Sequence, residues 1–278
     1  MKIFQIINNN VVSVIIDGYE VIAMGKGIGF KAKKGDKIAE DNIIKLFVPN
    51  DFAEFENVKE RIKSLPIEIM QLTVDIIDYA KTIIVSEISD SIYLTLSDHI
   101  SHAVKYYNKK NKLANPILHE IKYLYKKEFA VGLYAIKAID KRCGVRMTDY
   151  EAGNIALHIV NSRFNYANGE AVKMMTLIND ILQIISKCYK IKFNEENIEY
   201  KQFLIHLKYF SIRIIEDINE EFAPDNFLFI LQREFPKEYK CSLEIKKYIL
   251  KYFNKHLNDQ ELVYFIIYIN KLALTSLN

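Results

Sequence analysis

Six histidines punctuate this 278-residue chain: His99, His102, His119, His158, His206 and His256. Imidazole can relay protons, bind metal or accept a phosphoryl group through a ring nitrogen. Three of the six stand out by position. His99 lies in SDHISH and His158 in IALHIVN, 59 residues apart. His206, in FLIHLKYF, answers His99 when the two later parts of the chain are compared. Tyr125-Lys126-Lys127-Glu128-Phe129 is echoed by Phe235-Pro236-Lys237-Glu238-Tyr239, Leu133 by Leu243, Ile139 by Ile249 and Glu151 by Glu261, all at an offset of 110. His206 follows His99 by 107, and Tyr268 answers His158. A lone helical histidine is most often structural or superficial. One placed at equivalent positions of a duplicated segment points to shared chemistry.

Metal is the competing chemistry. His99 and His102 share a helix face, but the neighbouring Asp98 points elsewhere on the helical wheel. No HExxH or cysteine pair reinforces a site, and the second copy has a single histidine here, so metal is the weaker reading. His119 and His256 lack counterparts and read as surface residues. Cys143, Cys188 and Cys241 lie far apart without a CxxC, as expected of free, mostly buried thiols in a reducing cytoplasm. There is no nucleophile elbow, P-loop or dinucleotide fingerprint. The chain therefore reads as a non-enzyme with no cofactor.

A second chemistry lies near the N-terminus. Residues 26–37 carry Lys26, Lys31, Lys33, Lys34 and Lys37 against Asp36 alone, beside Gly25, Gly27, Gly29 and Phe30. Glycines let backbone approach a ligand, lysines meet phosphates, and an exposed aromatic ring can stack on a base. Composition alone favours the plainer alternative, a solvated loop with Phe30 in the core.

The elements that must position these residues differ along the chain. Lys2–Ile7, Val11–Ile16, Tyr19–Met24 and Ile43–Val48 read as strands, with Asp17-Gly18 as a two-residue hairpin turn needing positive φ at both positions. About 55 residues bury little core alone, and open sheet edges need cover, so a homodimer is expected. Beyond residue 60, apolar residues recur at helical spacing, as in Ile67, Met70, Val74, Ile77, Ala80 and Ile84. The repeat divides this part near Asn168-Gly169 into two bundles of about five helices each. The predicted fold is thus multi-domain: a small antiparallel β module (1–55), then two all-α bundles (64–169 and 170–278). Lys plus Arg is 38 and Asp plus Glu is 35, a balance that leaves the choice of partner to local patches. No apolar run approaches the ~20 residues of a membrane span, and the N-terminus does not read as a signal peptide.

Longer motifs add a resemblance. NNNVVSV followed by VIAMGKGIGFKAKKGDKI resembles the RNA-binding module of the BglG/SacY/LicT transcriptional antiterminators. KKEFAVGLYAIKAI with EAGNIALHIVN resembles their first phosphotransferase-system regulation domain (PRD). LINDILQIISKCYKI with FLIHLKYFSIRI resembles the second. The resemblance covers essentially the whole chain and shifts the Lys-rich loop towards RNA. It implies a dimer whose β modules hold a leader-mRNA hairpin and so prevent a terminator from forming. The RNA-facing residues would be Asn8, Asn10, Gly25, Lys26, Gly27 and Phe30. Many relatives carry Arg where Lys26 stands and Lys where Gln5 stands, and Lys lacks the planar bidentate fork of Arg. The resemblance also implies phosphorylation at His99 and His158 by a sugar permease, and at His206 by the phosphocarrier HPr. Tyr268 occupies the fourth histidine position and cannot become a phosphohistidine. Arg142, Arg146 and Arg163 are the basic residues expected near a phosphoryl group on the first bundle. The alternatives are a PRD-containing DNA-binding activator, disfavoured by the β-like N-terminus, and a metal-dependent helical enzyme.

Overall fold

The computed structural model describes residues 1–48, 52–107, 117–164, 169–218 and 227–276, apart from the side chains of 52–54, 57, 275 and 276. Four antiparallel strands open the chain: β1 (Ile3–Asn8), β2 (Val11–Ile16), β3 (Tyr19–Met24) and β4 (Lys45–Phe47), in spatial order β1-β2-β3-β4. Asp17 and Gly18 have φ of 53° and 87°, the geometry the hairpin requires. Period-2 alternation sorts the strands' side chains onto two faces. Val12, Val14, Val21 and Ala23 pack with Ile3 and Ile38 under the long connection between β3 and β4. Val11, Ile22, Met24 and Phe47 face the other way, into a core shared with helices.

Eleven helices follow among the described residues. They are α1 (Phe52–Ser64), α2 (Ile67–Ile83), α3 (Ile92–Tyr106), α4 (Leu118–Leu124), α5 (Lys126–Cys143) and α6 (Asp149–Arg163), then α7 (Glu170–Tyr189), α8 (Ile198–Glu216), α9 (Phe227–Glu234), α10 (Pro236–Phe253) and α11 (Asp259–Ser276). Sequence reading takes residues 51–65 as a short connection, but α1 occupies most of it. Phe55, Val58 and Ile62 recur at three- and four-residue spacing and are buried with Val11, Ile22, Met24 and Phe47 of the sheet and Ile92, Leu96 and Ile100 of α3. The link between sheet and helices is therefore part of a core.

Contacts divide the chain into two units. The first holds the sheet with α1, α2, α3, α5 and α6; the second holds α4 and α7–α11. Local signals set several helix ends. Pro66 precedes α2 in extended conformation, Pro236 opens α10, and the Asn197 side chain accepts a hydrogen bond from the Glu199 amide at the start of α8. The two copies of the repeat differ at one helix. Within the second unit α9 packs on α10 and α11, whereas its counterpart α4 packs on α8. Glu120 of α4 is buried and accepts a hydrogen bond from the Tyr200 hydroxyl at 2.7 Å, and His119 Nδ1 lies 2.7 Å from Glu195. His119 is accordingly partly buried, against the surface position expected for it.

Candidate nucleic-acid interface and histidine sites

The glycine-rich loop is assembled by asparagines. Asn8 Oδ1 accepts from the Asn10 amide at 2.8 Å, and Asn10 Oδ1 accepts from the Gly27 amide at 2.8 Å. The Asn10 carbonyl accepts from Gly25 N at 2.9 Å and the Asn9 carbonyl from Gly29 N at 3.0 Å. The β1–β2 turn and the loop after β3 thus brace one another. Gly25 and Gly29 lie so close to the Asn42 and Asn8 carbonyls that an added Cβ would collide with backbone at either position. Asn8, Asn10, Gly25, Lys26, Gly27 and Phe30 all lie on this braced segment.

Phe30 settles the ambiguity left by composition. Its side chain is outside the core, with the residue 60% exposed. Lys31 Nζ lies 5.4 Å from its ring centroid, and Lys34 Nζ lies 4.3 Å from the ring of the exposed Phe4. Lys26 is also exposed. The loop from 33 to 37 is tied to β1 through Gly35 N to the Ile3 carbonyl and Ile3 N to the Asp36 carbonyl. The result is a hydrogen-bonded surface that carries cations and two exposed aromatic rings, suited to phosphates and unstacked bases.

The histidines form two different sites. In the first unit, His99 on α3 and His158 on α6 have ring centroids 4.5 Å apart. His99 Nε2 lies 2.5 Å from Glu151 Oε1, and Glu151 Oε2 accepts from Asn154 at 3.2 Å. Burial opposes the charge on Glu151, but the His99 hydrogen bond, its charge and Asn154 outweigh it and hold the carboxyl below its ordinary pKa. Burial first, and the neighbouring His99 second, push the pKa of His158 down to about 4. His158 is therefore neutral near pH 7 and keeps a lone pair.

The second unit preserves the histidine and changes its surroundings. His206 stacks on Tyr268 with centroids 4.9 Å apart, beside Tyr264 at 5.3 Å and Phe265 at 6.3 Å. Its Nε2 is buried without a hydrogen-bond partner, and burial followed by Arg213 pushes its pKa down to about 4. Glu261, the counterpart of Glu151, pairs with Arg213 at 2.6 Å. On the 107 offset, the position of Arg213 is Tyr106 in the first copy. A cation on α8 thus pairs with Glu261, whose counterpart Glu151 faces His99 in the first unit.

Two of the cations expected near a phosphoryl group are paired with acids. Arg142 pairs with Asp75, and Arg163 pairs with the buried Glu128 and donates to Ser86 Oγ. Arg61, which has no marking motif, bonds to Asp98 beside His99. His102 is exposed, with its ring 4.6 Å from that of Tyr106. Among the described residues, no three His, Cys, Asp or Glu side chains are grouped to hold a metal ion, and no helix is long and apolar enough to cross a membrane.

Comparison with known proteins matches these sites to families. Residues 1–56 match the CAT RNA binding domain, and residues 74–162 and 179–272 each match the PRD domain. The chain is 36% identical over 274 residues to the transcription antiterminator LicT of Bacillus subtilis, covering 98% of this chain and 99% of that one. It is 31% identical over 274 residues to the β-glucoside operon antiterminator of Dickeya chrysanthemi, covering 98% and 96%. The crystal structure of GlcT CAT-PRDI superposes with a TM-score of 0.51 at 27% identity, covering 58% of this chain and 97% of that one. A braced basic loop on a four-stranded sheet and a duplicated helical domain are thus the parts of an RNA-binding regulator rather than of an enzyme, and the chain belongs to the transcription antiterminator family built from a CAT RNA-binding domain and two PRD domains.

Proposed function

We propose that this chain acts as a cytoplasmic homodimer that binds a leader-mRNA hairpin of a sugar operon and keeps an overlapping terminator from forming. The exposed Phe30 on the asparagine-braced loop carries this reading. Lys26 meets phosphate, Phe30 stacks on an unpaired base, and Gly25 and Gly27 let the backbone approach. Asn8 and Asn10 direct their carbonyl oxygens to the loop backbone and present their amide Nδ2 donors to base edges. The apolar side chains of Ile6, Ile15 and Tyr19, exposed on the module, are available to a second copy.

Control comes from the sugar phosphotransferase system. A sugar permease phosphorylates His99 and His158, and HPr phosphorylates His206. A ring-nitrogen lone pair attacks phosphorus, the bond from phosphorus to the donor side chain breaks, and the ring proton passes to the departing donor or to water. Glu151 suits this step because its carboxylate stabilises the positive charge that develops on the His99 ring. His206 lacks such an acid, and Tyr268 removes its paired acceptor, so the second domain responds more weakly than the first.

The test titrates the full chain against a bulged leader-type hairpin at two salt concentrations. Tight, salt-sensitive binding that a scrambled hairpin does not share is expected. Equal affinity for both RNAs overturns the reading.

A further inference from the structure

Asp98 and His99 are consecutive on α3, and each is engaged by a different element. His99 meets Glu151 of α6 at 2.5 Å. The Asp98 carboxylate accepts from Arg61 Nε of α1 at 3.1 Å and more closely from Arg61 Nη2. The side chains of Arg61 and Asp98 are 37% and 42% exposed, so the guanidinium lies at a rim where it can turn. On the same helix, Phe55, Val58 and Ile62 are buried with Val11, Ile22 and Met24 of the sheet. α1 packs on β1, β3 and α3. It touches both the RNA-binding sheet and the histidine helix, which also meets the sheet directly where Phe47 packs on Tyr93.

A phosphoryl group on His99 would add about −1.5 to −2 charges one residue along α3 from the Asp98 carboxylate. The guanidinium fork can donate hydrogen bonds to oxygens of both groups at once. Arg142 and Arg163 are held by Asp75 and Glu128. We propose that Arg61 reads the charge on His99: it bridges Asp98 and the phosphoryl group, tightens α1 on α3, and so passes the state of the histidine to the sheet. This rests on His99 being a phosphoryl acceptor, as proposed above.

The test measures amide hydrogen exchange of α1 in the full chain. His99→Glu supplies a negative charge without phosphotransfer. It should slow exchange in α1 about fivefold, the lower end of ordinary coupling between sites. In the Arg61→Gln background that slowing should vanish. The exposed pair contributes little to stability, so Arg61→Gln should fold, and Asp98→Asn provides a second variant in which Arg61 is released from its carboxylate. Equal slowing with and without Arg61, or no slowing with Arg61 present, overturns the proposal. A second arm treats the chain with phosphoramidate. Its P–N bond breaks, ammonia leaves, and a P–N bond to imidazole forms with loss of the ring proton. Mass spectrometry locates the label, and His99→Asn is the control. Label absent from His99 sinks the acceptor assignment, while the glutamate arm still decides the role of Arg61.

Discussion

Phe30 and Gly29 define opposite kinds of contribution to one loop. Phe30 is exposed and free to stack on a base, which by alanine substitution is worth about 1–3 kcal/mol. Phe30→Ala should therefore weaken hairpin binding about tenfold or more without changing its salt dependence. Lys26→Ala should weaken binding and lower the salt slope by about 1, and a titration at several salt concentrations checks both. Gly29 has no room for a side chain against the Asn8 carbonyl. Gly29→Ala should distort the loop and reduce RNA binding by at least about tenfold, consistent with a steric cost of 1–3 kcal/mol, and a local shift in amide resonances of Asn8–Asn10 would report it. Residue types at the surface were legible in sequence, but their division of labour was not. Asn10 reaches Gly27 across 17 positions, and Arg61 reaches Asp98 across 37, distances at which no local pattern announces a bond.

At the scale of elements, the four strands and their hairpin were legible because period-2 alternation and Asp17-Gly18 are local signals. Sequence reading put His99 and His158 on helices and matched Glu151 to Glu261, yet it could not show that α3 and α6 meet or that the second copy surrounds its histidine differently. That difference depends on Arg213 capturing Glu261 and on Tyr268 covering His206. The burial that the two histidines share has a thermodynamic signature. His158 and His206 have folded pKa values near 4, below the ordinary 6.5. Between these values the unfolded chain binds protons that the folded chain refuses. Stability is therefore full above pH 6.5 and falls as pH drops towards 4, at most about 3 kcal/mol for each ring. His206→Phe should flatten the pH dependence of thermal unfolding of the second unit over that window. Tyr268→His should in turn give a second labelled position with phosphorylated HPr, seen by mass spectrometry of digested protein.

For the whole molecule, the sequence implied that a module of about 55 residues needs cover, and assigned that cover to a second copy. Part of it comes from within the chain. Val11, Ile22, Met24 and Phe47 are buried together with α1 and α3, and Phe47 meets the edge of the Tyr93 ring at 6.2 Å. A pattern of alternating residues marks a face as apolar but does not say what will lie against it. A fragment ending at residue 55 would bare this face. Each large apolar side chain left exposed forfeits about 1.5–3 kcal/mol. The fragment 1–55 should melt at least about 10 °C below 1–164, on the scale of 4–8 °C per kcal/mol for small domains, and calorimetry of the two would decide it.

The lodging of α4 on α8, sealed by Glu120 and Tyr200, bears on how such chains recombine. The duplicated segments look exchangeable when aligned, with a natural seam near Asn168-Gly169. A hybrid spliced there would combine the α4 of one parent with the α8 of another and strand an acid opposite a foreign helix. A hybrid that keeps α4 and α8 from the same parent should fold where one spliced at the visible boundary of the duplication should not.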